Sequence, residues 1–317
     1  MRLFRFVPDN TSIKFMEDRK YSFPASAVLI VASIFMFFVY GLNLGIDFRG
    51  GTLIEIETQG PADIGDIRSR LSGLGLGDVQ VQEFGAPNDV LIRIERQDGG
   101  EEAQQGVVTA VRGEFGNSVQ YRRVEVVGPR VSGELTQAGT IAVIAALIAV
   151  LAYIWFRFEW HFAVGAVIAL VHDIVLTMGM FAIVQLEFNL ASIAAILTIV
   201  GYSLNDTVVV YDRIRENLRR YKKKPLPEVL DLSINQTLSR TALTSITTLL
   251  ALIALYIFGG AVIQSFTFAM IWGVIIGTYS SIFIAAPVLI VLGLKPGGRL
   301  VDQESDAAKD ASGEKVT

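Results

Sequence analysis

Cysteine is absent from all 317 residues. Disulfides, thiolate nucleophiles and zinc–thiolate centres are therefore excluded, and the redox compartment cannot be read from this residue. Histidine occurs twice, too rarely for a His-rich metal site. Charge is scarce as well: Asp, Glu, Lys and Arg make up 18% of the chain, and the net charge of -4 carries no message about nucleic acid. Phosphate loops, HExxH helices, serine or cysteine triad contexts and nucleic-acid motifs are all missing, so nothing supports soluble enzymology. What the chain does have is apolar length. Hydrophobic residues are 52% and the mean hydropathy is +0.49. Several charge-free runs reach the ~18–20 residues that cross a ~30 Å hydrocarbon core.

Six spans follow from those runs, at about 23–44, 137–156, 162–185, 189–211, 240–258 and 266–292. The last two come from one uncharged stretch, Thr241 to Leu294, that is too long for a single crossing and is split at Gly259-Gly260. The first span is too long for a signal-peptide core and lacks a small-residue cleavage site, so it reads as an uncleaved anchor. Residues 1–22 are an N-terminal segment, 23–46 the first transmembrane helix and 47–134 a soluble domain. Residues 135–294 hold spans two to six, with a basic loop at 212–238, and 295–317 form a polar tail without period, read as disordered. Lys and Arg cluster before span one and after span four, while the turns at 186–188 and 259–264 hold neither. The positive-inside rule then places both termini in the cytoplasm and the soluble domain outside, in the periplasm of a bacterial inner-membrane protein.

The soluble domain alternates readable periods. Ile54 and Ile56 alternate with Glu55 and Glu57 as a half-buried strand, and 61–74 places Ile64, Ile67, Leu71 and Leu74 on one helical face, with Pro61 suited to its first turn. Val79 and Val81 mark a second strand, Gly85 to Asp89 a turn, and Val90, Ile92 and Ile94 a third strand. Val107, Val108, Val111 and Phe115 mark a second helix, and 121–127 a fourth strand. The order β-α-β-β-α-β predicts a ferredoxin-like α+β domain between spans one and two of a six-helix polytopic membrane protein.

Asp206 is the residue most in need of a reason. No charge precedes it back to Asn189, and a carboxylate at such depth costs about 2.5–3.5 kcal/mol on insertion scales. Burial disfavours the charged form of a carboxylate and a nearby cation favours it. Arg240 opens span five from the same side of the membrane that Asp206 approaches in span four, so the two are expected at similar depth. An Asp and an Arg whose separation changes make a proton switch, and the competing reading is a static ion pair that holds two helices together. Asn205 and Ser203 add polar groups nearby, and span five is rich in hydroxyls, of which Thr244 is the best placed to line a polar path; the plainer role for the others is interhelical hydrogen bonding. In span three, His172 and Asp173 are helical neighbours and so do not face one way. Asp173 is either a second relay or a packing partner. Asp47, Arg49, Gly50 and Gly51 sit where span one leaves the membrane, read as a turn and interfacial anchor with Asp47 and Arg49 reaching to water. Gly273 and Gly277 form a GxxxG, a weak contact signal taken alone.

Several motifs together carry a resemblance that covers nearly the whole chain. They are Gly45-Ile46-Asp47-Phe48-Arg49-Gly50-Gly51-Thr52, Val127-Gly128-Pro129-Arg130-Val131-Ser132, His172-Asp173, Gly201-Tyr202-Ser203-Leu204-Asn205-Asp206 running on through Asp212 and Arg213, and Ser239-Arg240-Thr241. The chain resembles the SecF branch of the SecD/SecF family of protein-export membrane proteins, within the RND transporter superfamily. The resemblance implies a non-enzymatic subunit of the SecD/SecF accessory complex of the Sec translocase. Such a subunit uses the proton motive force to promote late export of polypeptides. It implies no cofactor, protons as the coupling ion, and as partners SecD, the SecYEG channel, YajC and the unfolded exported chain. The family's essential intramembrane Asp and Arg fall on Asp206 and Arg240, and a separate SecD is expected to supply a further carboxylate. The alternatives are a scaffold subunit that uses the Asp–Arg pair as glue, or an RND-type small-molecule exporter, against which the single small external domain counts.

Overall fold

The computed structural model describes residues 11–294; Arg2, Arg5 and the polar tail 295–317 lie outside them. Helix α1 spans Arg19–Tyr40 and is followed by the short α2, Ile46–Arg49. Strand β1 (Gly51–Thr58), α3 (Ile64–Ser72), β2 (Val79–Phe84), β3 (Ala86–Ile94), α4 (Gly100–Phe115) and β4 (Val119–Val127) follow. Then come α5 (Pro129–Arg157), α6 (Trp160–Val184), α7 (Leu190–Arg220), α8 (Leu226–Phe258) and α9 (Gln264–Ser280), which runs through a π-helical turn, Ser281–Ala285, into α10, Ala286–Val291. Six helices are long and apolar enough to cross a membrane, the last of them being the continuous Gln264–Val291.

The sheet is antiparallel throughout in the order β2-β3-β1-β4, the split β-α-β arrangement that the sequence predicts. Its core lies between one sheet face and the two helices, where Ile54, Ile56, Ile92 and Ile94 meet Leu71, Val107 and Val111. Local details depart from the sequence reading. Helix α3 starts at Ile64 with Asp63 accepting the Asp66 N–H, so Pro61 stands before the helix and an acidic cap, not proline, sets its start. The expected turn at Gly85 to Asp89 shrinks to Gly85, which takes a φ of 90°, because residues 86–89 already pair in β3. Strand β1 is buried on both faces: Leu53 packs with Ile46 and Leu91, and even Glu55 is only 8% exposed. The residues read as a basic loop at 212–238 are mostly helix, since only 221–225 separate α7 from α8. Loss of apolarity ends a span without ending a helix.

Glycine is required where the bundle hands over to the sheet. Gly50 and Gly51 take φ of 73° and 124°, and a Cβ on Gly51 would lie 2.5 Å from the Ile94 carbonyl oxygen. Arg49 is exposed, while Asp47 is half-buried and also engages the bundle. Its Oδ2 accepts the Leu190 N–H at 2.9 Å, one of the donors left free at the start of α7. Beside it, Arg93 of β3 pairs with Glu187 at 3.0 Å and Phe188 exchanges backbone hydrogen bonds with residues 43 and 45. The sheet domain therefore grips the N-terminal end of α7. Asp47→Ala is expected to cost about 1 kcal/mol, as for a lost helix cap, read as a lower unfolding temperature in lipid. An unchanged transition would assign the contact no energetic role.

Proline shapes the last helix. Pro287 has no N–H for the Phe283 carbonyl four residues back, and its ring crowds that oxygen. The chain answers with the π turn, and the freed Phe283 carbonyl accepts from Ser22 Oγ at 3.3 Å; nearby, Tyr211 OH donates to Ala285 O at 2.9 Å.

Candidate functional site

Close approach of α7 and α9 builds the polar centre of the bundle. A Cβ on Gly273 would collide with Ile199, and one on Gly277 would lie 2.9 Å from Ser203 Cβ. The GxxxG spacing thus serves the α7–α9 contact, as small residues do where helices pack in lipid. The same approach brings the hydroxyls of α9 against α7. Thr207 and Ser281 hydroxyls lie 2.9 Å apart, and Ser203 faces Ser280 across a shared acceptor, the carboxylate of Asp173.

Asp206 lies on the inward face of α7 and is 5% exposed. Sixteen residues separate it from Leu190, about 24 Å at 1.5 Å per residue. Asp206 is therefore near the middle of the helix whose end the sheet domain grips. Its Oδ1 accepts a hydrogen bond from Thr241 Oγ1 at 3.0 Å. Its Oδ2 is buried and has no partner among the described residues. A buried acceptor left unpaired is costly.

The other residues expected around Asp206 are arranged differently. Arg240 is near enough to Asp206 for its charge to act there, but its side chain is exposed on α8 and forms no ion pair among the described residues. Asn205 is exposed on α7, and Thr244 is exposed with its hydroxyl turned back onto the carbonyls of Arg240 and Thr241. Helical geometry explains why Thr241 takes the place expected for Thr244. Thr237, Thr241 and Ser245 recur every four residues along the buried face of α8, and Thr244 is rotated about 60° from Thr241. That spacing was present in the sequence; what it lacked was which face turns inward. Arg240 and Thr244, four residues apart, are instead exposed along one side of α8, and Asn205 is exposed on α7.

Asp173 is fully buried on α6, bonded to neither Asp206 nor Arg240. His172, its neighbour, does contact it, with Nδ1 2.9 Å from Oδ1. Sequence reasoning missed this pairing because adjacent helical residues diverge by about 100°, and it missed Ser280 and Tyr279 altogether. Asp212 and Arg213 lie toward the far end of α7 in partly exposed polar contacts. Asp212 receives two hydrogen bonds from Arg157, and Arg213 pairs with Glu216 and Gln236.

Comparison with known proteins fits this arrangement. A family model described as protein export membrane protein SecD/SecF, C-terminal, matches residues 107–295, and a SecD/SecF GG motif model matches residues 35–62, which include Gly50 and Gly51. The chain is 45% identical over 293 residues to protein translocase subunit SecF of Rickettsia bellii, covering 92% of this chain and 97% of that one. It is 52% identical over 296 residues to the SecF of Magnetococcus marinus, covering 91% and 94%. Against the SecDF of Brucella abortus it is 48% identical over 96% of its length but spans only 41% of that protein. The crystal structure of the translocon-associated membrane protein SecDF from Thermus thermophilus superposes with a TM-score of 0.81 at 33% identity, over 90% of this chain and 39% of that one.

Proposed function

The chain belongs to the SecD/SecF family of protein-export membrane proteins, and from that membership we propose that it is the SecF-like subunit of a SecD/SecF accessory complex, driving late polypeptide export with the proton motive force. The observation that carries the proton-coupled part is the unpartnered Oδ2 of Asp206 in the middle of α7. A helix that bears an exchangeable proton at its centre and is latched to an external domain at its end can pass a local charge change to that domain. One proton crossing 100 mV supplies about 2.3 kcal/mol, enough to bias a conformational gap of a few kcal/mol.

The exposure of Arg240 and Thr244 on α8 and of Asn205 on α7 supports a relay completed by another chain, with SecD supplying the carboxylate that pairs with Arg240. In this reading both termini are cytoplasmic, the sheet domain stands outside the bacterial inner membrane, and the complex works with SecYEG and YajC on an unfolded polypeptide. The subunit acts without a cofactor and catalyses no covalent step.

The test is export into membrane vesicles containing the whole complex, with the proton gradient present or collapsed. Export that ignores collapse of the gradient defeats the proton-coupled reading and leaves family membership intact. Thr241→Val removes the one side-chain hydrogen bond to the Asp206 carboxylate among the described residues and is expected to slow gradient-driven export about fivefold, the effect of about 1 kcal/mol. An unchanged rate would take Thr241 out of the relay.

A further inference from the structure

A second titratable pair is enclosed within the chain. Asp173 and His172 are 0% and 2% exposed where α6 meets α7 and α9. Oδ2 of Asp173 accepts from Ser203 Oγ at 2.5 Å and Ser280 Oγ at 2.7 Å, while Oδ1 faces His172 Nδ1. His172 Nε2 is buried with no hydrogen-bond partner among the described residues. The imidazole stacks on Tyr279 with centroids 6.0 Å apart, and Tyr279 stacks in turn on Phe283 of the π turn.

The polar and titratable groups facing the pair are few. From α9 come Tyr279 and Ser280. From α7 comes Ser203, with Asp206 three residues further on and bonded to Thr241 of α8. From α1, Ser26 meets the Tyr279 hydroxyl. Among the described residues no Lys, Arg or further carboxylate pairs with either residue.

A site with no outside countercharge is balanced from within. A neutral imidazole beside an ionised carboxylate leaves one net negative charge buried in the bundle, which is costly. One added proton removes that charge. It resides either as an imidazolium against a carboxylate or as a carboxylic acid against a neutral ring. In both forms Nε2 bears a hydrogen, because Nδ1 is occupied by Asp173. The Tyr279 face favours the imidazolium, and the two serine donors favour the carboxylate.

We propose that His172 and Asp173 form a second proton-binding site, internal to this chain, whose single proton keeps α6 clasped to α7 and α9. Release of that proton strips Nε2 of its hydrogen and exposes the bundle to the uncompensated carboxylate. Ser203 precedes Asp206 by about 4.5 Å along α7, so a shift of α7 at one site is felt at the other, and proton affinity at each depends on the state of the other. The inference deepens the proton-coupled reading and rests on it for its purpose only, because occupancy is measured without transport.

The experiment is nitrogen-15 NMR of the full chain in lipid bilayers, labelled at histidine. Only His161 and His172 report, and His161→Gln leaves His172 alone. At pH 7 the Nε2 resonance of His172 is expected to carry a bonded hydrogen; a bare Nε2 overturns the site. Asp206→Asn is expected to displace the ring-nitrogen resonances of His172, and unmoved resonances overturn the coupling. A protonated Nε2 in a chain whose export ignores the gradient would sink the relay and keep this site, and the opposite pair of results would do the reverse.

Discussion

Asp206→Asn is expected to yield a folded, assembled subunit whose gradient-driven export falls more than tenfold, to the level seen with the gradient collapsed. Asparagine keeps the shape of aspartate and an oxygen to accept the Thr241 hydroxyl. It cannot take up or release a proton. The folding cost is small because two terms oppose. An amide group placed at the unpartnered Oδ2 position costs about 1–3 kcal/mol for unsatisfied donors. Removing the intramembrane charge returns about 2.5–3.5 kcal/mol. Loss of export with normal recovery of the complex on pull-down supports the relay. Unchanged export sinks it, and failure to recover the complex would move Asp206 to the role of interhelical glue.

Gly51→Ala is expected to be the most damaging small change in the sheet domain, at about 3 kcal/mol. The φ of 124° lies outside every well open to an L residue, a strain of about 1–3 kcal/mol. A new Cβ would also meet the Ile94 carbonyl oxygen at 2.5 Å. That oxygen is backbone and cannot swing away, because Ile94 stands opposite Thr52 in the central β1–β3 pair and opposite Val79 in β2. Overpacking of this kind adds about 1–3 kcal/mol. Gly50 is the milder case, with its nearest neighbours at 3.2 Å or more. Protease susceptibility of residues 51–127, against that of the bundle, checks the order. Equal resistance of Gly51→Ala and the unchanged chain would show that the hand-over can relax.

The two predictions draw on different kinds of legibility. Gly50 and Gly51 could be picked out in the sequence as a turn, but the reason Gly51 must be glycine is a carbonyl 43 residues away in another strand. Asp206 stood out because a charge in an apolar run is conspicuous on any hydropathy reading. Its partner did not. Span five carries hydroxyls around much of its circumference, and the choice of Thr241 over Thr244 was made by the packing of α7 and α9 against one face of α8. The second role of Asp47 was missed for a similar reason: its acceptor contact at Leu190 spans 143 residues and appears only when α2 folds over the start of α7.

The sequence alone determined the number of spans, the strand and helix order of the soluble domain and the position of the costly carboxylate. Each of these is written in a local quantity: run length, period or an isolated charge. Tertiary structure decided which faces turn inward, and so which hydroxyl meets Asp206, which side of α8 shows Arg240 and how His172 bends back to Asp173. The physical reason is that apolar residues cover both the lipid-facing and the buried sides of these helices. In a membrane the hydrophobic pattern that orients a soluble helix is therefore nearly silent, and close packing at Gly273 and Gly277 sets the rotation instead.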